Sequence, residues 1–559
     1  MNNFLKSLME NAGTTKVPFY ARQSMGCRAI VNYSSEFKRI ENIPRRDGRT
    51  RQGEVIILTE ELSPASGRMV LWPIQASALR DICLYRGGFF PIGVGLGKAL
   101  VSLLAGTVLE VSRPVLFVPA ELREQTNQHV LPEMLRHWKI PNNLRVIGYS
   151  ELSLAKNSRL LEELNPDLII LDECHYLKNV SAGRTRRMVR WFRDHPETLC
   201  IAMSGTVCHK TIKDFAHISA WCLKGNNPLP SKWPELSEWA DAIDENVPDE
   251  NRVDPGALNR FCEEGENVRQ GFRRRLTETP GVVASKESDL GVSLIIKNYA
   301  LDTPNNVRSA MTDLETTWVT PNGDMLSEAV ELWRHLRELS LGFYYRWDPV
   351  APRDWLEARR EWKAYVREEI KYSRGKYDTE LQVWNECSRG YKKSREFIAW
   401  EKIKKAFVIN SIAEWISDFA LNACAEWLND GGICWVEHTA FGKKLAKDFK
   451  LAYFGAGDSK ILNTKEKSII ASIQSHGTGK NLQQFDRNLI TSPMSSGKTF
   501  EQVLGRTHRP GQTSDVVTVD LMLHAEVLKL SFEQARKNSR YLEDTLGNRQ
   551  KLNYATVLV

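Results

Sequence analysis

Residues Pro166–Asn179 read PDLIILDECHYLKN. Leu168, Ile169, Ile170 and Leu171 form a continuous apolar run, the pattern of a strand buried on both faces. The run stops at Asp172-Glu173. Open α/β sheets bind ligands beyond the carboxyl ends of their strands, so these two carboxylates stand where they can hold a cation and polarise a water. A lone Asp-Glu pair is ordinarily a solvated loop, and the flanking sequence has to decide between the two readings.

Upstream, Gly93-Val94-Gly95-Leu96-Gly97-Lys98 follows the apolar Phe89-Phe90-Pro91-Ile92 and precedes a helical run, Ala99–Leu104. Glycines let backbone amides close around phosphates, a helix start favours anions, and Lys98 supplies a point charge. Downstream, the apolar Leu199–Met203 ends in Ser204-Gly205-Thr206. Far downstream stands Gln502-Val503-Leu504-Gly505-Arg506-Thr507-His508-Arg509-Pro510-Gly511-Gln512. Arginines three apart on a helix share a face, so Arg506 and Arg509 can converge on one phosphate.

Taken in order, Gly-Leu-Gly-Lys, Asp-Glu-Cys-His, Ser-Gly-Thr and Gln-x-x-Gly-Arg-x-x-Arg-x-Gly-Gln resemble the motifs of superfamily 2 helicases. They resemble most the SNF2-type DNA translocases, whose last motif carries Arg-x-Gly-Gln; Leu177-Lys178-Asn179 is SNF2-like too. The likeness spans roughly residues 70–210 and 430–525. It implies an α/β fold with two RecA-like parallel-sheet lobes and a largely helical insertion between them. The expected division is an N-terminal extension (1–65), lobe 1 (66–215), a helical insertion (216–405), lobe 2 (406–530) and a C-terminal helix and tail (531–559).

The same resemblance implies roles. ATP would be bound by Gly93, Gly95, Leu96, Gly97, Lys98, Gln75 and Gln502, with Gln75 reading the adenine edge. Asp172 would hold Mg2+ through its water shell, Glu173 would activate the attacking water, and Arg506 and Arg509 would neutralise transition-state charge. Ser204, Gly205 and Thr206 would couple the ATP and nucleic-acid sites, and the loop His476, Gly477, Thr478, Gly479 would touch nucleic acid. The implied partner is double-stranded or branched DNA, and the implied member is a compact bacterial or phage one. Two other readings stay open: a strand-separating DNA or RNA helicase, and a catalytically impaired, ATP-gated DNA-binding scaffold. Ala99 favours the latter, because such loops place Ser or Thr there to ligate magnesium.

Composition sets outer bounds. With 559 residues, two to four domains are expected, and 42% hydrophobic with 26% charged residues is ordinary for a globular protein. No apolar stretch approaches the roughly 20 residues of a membrane span, and the start MNNFLKSLMENAG has no signal-peptide core, so a cytoplasmic location and no membrane partner are expected. The ten cysteines include no Cys-x-x-Cys and suggest neither zinc nor a disulfide framework. A net charge of +7 permits a nucleic-acid partner without requiring one.

Cys27–Tyr33 and Glu54–Leu58 read as strands, and Arg45, Arg46, Arg49 and Arg51 as a solvated basic loop. Between 351 and 405, 15 Lys/Arg stand against 10 Asp/Glu, interleaved with Trp355, Trp362, Trp384 and Trp400. This suits either a backbone-tracking groove or the core of a helical hairpin, with the second favoured. One rival phosphate loop exists. Ser492-Pro493-Met494-Ser495-Ser496-Gly497-Lys498-Thr499 comes after the strand Asn488–Thr491 and offers a Thr for magnesium, yet its first Gly is Ser492 and no acidic strand end follows it.

Overall fold

In a computed structural model, the chain is described over residues 29–46, 53–93, 96–205, 211–244, 247–285, 292–326, 328–373, 376–509 and 511–559. Val94, Gly95 and Thr206, among the expected site residues and their loop, lie outside these, as do Arg49 and Arg51. The fold is α/β with two parallel sheets, and the chain forms two compact units. The N-terminal unit comprises residues 25–288 with 538–550; the C-terminal unit comprises 289–537 with 551–559.

The N-terminal unit contains β1 (Gly88–Phe90), β2 (Pro114–Val118), β3 (Arg145–Gly148), β4 (Leu168–Asp172) and β5 (Leu199–Met203), in the all-parallel order β1-β5-β4-β2-β3. Alternation along β4 explains its unbroken apolar run. Ile169 and Leu171 enter one core with Met188 and Phe215, while Leu168 and Ile170 enter the opposite core with Leu79 and Leu104. The sheet is therefore a middle layer between helices, and its strand ends are what remains available for chemistry.

Three expectations about the N-terminal region change. Glu54–Leu62 is a helix, not a strand. Its β-branched residues favour extended backbone, but Thr59 Oγ1 donates to the Val55 carbonyl at 2.6 Å and Glu54 pairs with Arg80 at 3.4 Å, satisfying the segment locally. In Cys27–Tyr33, the described residues make only one bridge, Ile30 to Asp254. Arg46 is not solvated: Asp81 accepts from its Nε at 2.6 Å and Ser77 Oγ from its Nη2 at 2.7 Å. Arg45 stays exposed beside Glu278.

The unit continues past residue 215. Leu223, Trp239 and Phe272, from helices Ala216–Leu223, Trp233–Ile243 and Val268–Thr277, share a core with Phe89 and Ile169. The described residues of 216–285 thus belong with this sheet.

The C-terminal unit contains β6 (Ser293–Tyr299), β7 (Phe343–Trp347), β8 (Ser411–Trp415), β9 (Gly432–Val436), β10 (Ala452–Phe454), β11 (Ser468–Ser472), β12 (Arg487–Ile490), β13 (Val516–Met522) and β14 (Thr556–Leu558). Seven form a parallel sheet in the order β10-β11-β9-β12-β13-β6-β14; β7 and β8 form an antiparallel ribbon. Between the ribbon strands run helices Arg353–Tyr372, Glu380–Ser388 and Arg395–Ile403. Trp362 packs with Val366, Val383 and Phe397, and Trp355 with Ala351 and Phe407. The tryptophans are therefore the hairpin's core, with Lys404 lying over the Trp384 ring. Among the described residues, no helix is long and apolar enough to cross a membrane.

Candidate active site

Strand order assembles the site. β5 lies between β1 and β4, and the register sets Phe90, Met203 and Asp172 level with one another. The segments leaving these strands are thereby brought together: the glycine-rich loop and Lys98 after β1, Ser204 after β5, and Glu173 after β4. Three segments far apart in sequence meet because parallel strands deliver their carboxyl ends to one edge.

Lys98 opens the helix Lys98–Leu109, preceded by Gly97 at φ +72°. The left-handed φ favours glycine there, and a Cβ would lie 2.1 Å from Gln75 Nε2, so that amide would have to move. Gln75 explains the closeness: its Oε1 accepts from the Trp72 amide at 2.8 Å and its Nε2 donates to the Gly97 carbonyl at 3.1 Å. The side chain expected to read adenine here ties the start of helix Pro73–Tyr85 to the loop. Lys98 Nζ donates to the Ile92 carbonyl at 3.0 Å and stands 3.5 Å from Glu173 Oε1. Only 8% of the lysine is exposed, so its charge is held in a largely dry place.

Glu173 adopts φ +53°, a left-handed conformation rare for a side chain with a Cβ and one that costs on the order of 1–3 kcal/mol. Its partners hold it there. Ser204 Oγ donates to Glu173 Oε2 at 2.8 Å, and His175 Nδ1 lies 3.2 Å from Oε2 and 2.9 Å from Ser204 Oγ. Burial raises the carboxyl's pKa, but the Lys98 charge and the hydrogen bonds from His175 and Ser204 outweigh it and hold Glu173 well below the usual range. Asp172 goes the other way: burial, then the neighbouring Glu173 charge, push it up to about 7 against the pull of Lys98. Two adjacent carboxyls are thus split into an ionised acceptor and a group that titrates near neutrality, where a cation would displace its proton. Tyr149 Oη donates to the Asp172 carbonyl at 2.9 Å and stacks on Tyr176, bracing the turn.

Beside the loop lies a cavity of about 1200 Å³ within this unit, lined among others by Trp72, Leu96, Arg273, Ser285 and Arg549. It is large enough for a nucleotide-sized ligand.

Arg506, Arg509, Gln502 and the loop 476–479 lie in the C-terminal unit. Arg506 and Arg509, on and just beyond helix Gly497–Thr507, do converge: Nη1 of each donates to the Lys480 carbonyl, at 2.9 and 3.5 Å. Lys480 directly follows the loop His476-Gly477-Thr478-Gly479. His476 is buried, its Nε2 2.8 Å from the Gly455 carbonyl, so it belongs to the loop's scaffold. Gln502 is buried, and its carbonyl accepts from Arg506 Nε at 2.7 Å.

The rival loop is built differently. Arg337 donates through Nη1 to the Pro493 carbonyl and Ser531 Oγ, both at 2.8 Å, and through Nη2 to the Ser492 carbonyl at 3.3 Å and Glu437 Oε2 at 2.5 Å. A phosphate cradle points amides inward; this loop points carbonyls at a guanidinium. An acidic strand end does exist, since Glu437 directly follows β9, the neighbour of β12, but Arg337 neutralises it.

Sequence reasoning missed His175 as a partner of Glu173. It also missed Ser285 and Asn548, whose side chains meet beside the glycine loop. No protein-family model and no curated protein matches the chain.

Proposed function

We propose that the chain is a nucleic-acid-dependent ATPase of SNF2-like type, with two RecA-like lobes, that couples ATP hydrolysis to translocation on duplex or branched DNA. The observation carrying this reading is the meeting of Lys98, Glu173 and Ser204 at three adjacent strand ends beside a glycine-initiated helix. A buried cation, an ionised carboxylate and a hydroxyl beside a glycine loop suit phosphoryl transfer to water, where positioning and charge neutralisation do most of the catalysis.

In this reading Lys98 leaves the Ile92 carbonyl for phosphate oxygens. Asp172 would hold Mg2+, whose charge would offset that of the phosphates. Glu173, freed from Lys98 and steered by Ser204 and His175, orients the attacking water and takes its proton. Ser204 lies in the network of the base, so displacement of its segment would be felt at Glu173; this supports the coupling role expected for Ser204-Gly205-Thr206. Arg506 and Arg509, already convergent on the Lys480 carbonyl, are assigned the neutralisation of transition-state charge. The basic helical hairpin, its tryptophans committed to packing, leaves lysine and arginine for backbone contact.

Ala99 supports a second reading, an ATP-gated DNA-binding scaffold with impaired hydrolysis, since no hydroxyl is available there for magnesium. Steady-state ATP hydrolysis with magnesium separates the two, measured without polymer and with duplex DNA, single-stranded DNA and RNA. The translocase reading expects stimulation by duplex DNA, and a loss of about 10²–10⁴ in kcat for Glu173→Gln. ATP binding without turnover above the Glu173→Gln background on any polymer would select the scaffold; stimulation by RNA or single strands alone would select the strand-separating helicase.

A further inference from the structure

The C-terminal return segment has no place in the expected motif set. Helix Glu526–Leu546 ends at Gly547, whose φ of +74° and amide bond to the Glu543 carbonyl at 2.9 Å close it in a left-handed cap. The next residues turn inward. Asn548 and Gln550 are 0% and 1% exposed, and Gln550 Nε2 donates to the Asn548 carbonyl at 2.9 Å.

Asn548 reaches the glycine loop through one intermediary. The Gly93 amide donates to Ser285 Oγ at 3.0 Å, and Ser285 Oγ donates to Asn548 Oδ1 at 2.9 Å. The other backbone group of Gly93, its carbonyl, lies 3.5 Å from Lys98 Nζ. The first residue of the loop is therefore held on one side by the lysine and on the other by a buried hydroxyl whose orientation an asparagine sets. Asn548 Nδ2 is buried with no acceptor among the described residues, which marks a place where a further acceptor belongs. Gly547, Arg549 and Ser285 all line the cavity beside the loop. Ser285 and Gln550 also stand at the two places where the chain leaves this unit, which ends at Ser288 on the first pass and at Gln550 on the second.

We infer that residues 547–550 form part of the nucleotide site, with Asn548 and Ser285 as positioning residues that hold the Gly93 amide at the mouth of the phosphate loop. The chemical class recognised is a nucleoside di- or triphosphate. The inference rests on the reading of Gly93–Lys98 as a phosphate loop. Either residue's loss frees Gly93, so the loop must be ordered by the nucleotide itself and affinity falls, while the base Glu173 and its partners are untouched.

The test is calorimetric titration of the full chain with MgADP, together with steady-state ATP kinetics. Ser285→Ala and Asn548→Ala are expected to weaken MgADP binding by about 5–20-fold and to raise KM in proportion, with kcat within twofold of wild type. Ser285→Thr, which keeps the accepting hydroxyl, is expected to bind within about twofold of wild type, a rescue that a general loss of packing would not give. Thermal unfolding without nucleotide checks each variant, and if Asn548→Ala does not fold, Ser285→Ala, the loss of a single hydroxyl, decides. Binding by both alanine variants within twofold of wild type overturns the inference while leaving the phosphate loop intact. Absence of MgADP binding by the wild-type chain overturns both.

Discussion

Each compact unit carries a Gly-Lys sequence at the start of a helix that comes after a strand, and the two have opposite fates. Judged locally, Gly497-Lys498-Thr499 is the better phosphate loop, because Thr499 offers the hydroxyl that Ala99 lacks. Their surroundings reverse the ranking. At Gly97-Lys98 the counter-charge to Glu173 is a lysine at 3.5 Å that also donates to a backbone carbonyl, an arrangement that a phosphate can exchange into. At the other loop Arg337 bridges two loop carbonyls, a serine and Glu437, so the position of a bound cation and anion is already filled by the protein. A phosphate loop is defined by what its strand neighbours bring to it as much as by its own residues.

Breaking the filled site is the largest stability effect expected. Arg337→Leu leaves two loop carbonyls and Glu437 without their donor. Because the Glu437 side chain is 41% exposed, the cost is discounted to roughly 2–3 kcal/mol. It appears as a lowered midpoint in chemical denaturation, with little change in nucleotide affinity. An unchanged midpoint would mean that Arg337 is ornamental and that the loop is held by its own backbone.

The units should also separate by pH. In the C-terminal unit, burial and then the Lys551 charge lower His508 from 6.5 to about 4. The folded form therefore disfavours the proton, and stability present above pH 6.5 is lost as pH falls toward 4, by up to roughly 1.4 kcal/mol per unit. In the N-terminal unit, burial raises Asp244 to about 6 against the hydrogen bonds it accepts from Tyr541 Oη at 2.6 Å and the Ile212 amide at 3.2 Å. Its contribution has the opposite sign: it is fully present below about pH 4 and lost as pH rises through 6. Calorimetry from pH 7.5 to 5 should show the C-terminal unit losing stability relative to the N-terminal one, and Asp244→Asn should reduce the latter's response, leaving the part due to Asp172. Parallel shifts of both transitions would contradict this assignment.

What was legible in the sequence obeys the same division between local and delivered information. β4 and β5 announce themselves because strands buried on both faces must be apolar throughout, and Gly97 because glycine enters the left-handed region without strain. β6 and β14 were missed: along Ser293–Tyr299 burial alternates with exposure, and Thr556–Leu558 is an edge strand only three residues long. Glu54–Leu62 misled because four consecutive branched or leucine side chains look extended, while a threonine back-bond and an ion pair hold them helical. The pairing of Glu173 with His175 and Ser204 was hidden for a geometric reason. The left-handed turn at Glu173 brings the side chain two residues on back beside its carboxylate, which spacing alone does not reveal. Ser285 and Asn548 left no signal, because a hydroxyl and an amide 263 positions apart become neighbours only through the fold.

The most direct measurement compares ATP binding and turnover in Lys98→Ala and Lys498→Ala. Nucleotide affinity and hydrolysis lost in Lys98→Ala, with both within twofold of wild type in Lys498→Ala, is the result expected from the surroundings of the two loops. The reverse pattern, with binding abolished by Lys498→Ala and retained by Lys98→Ala, would contradict the assignment of the site.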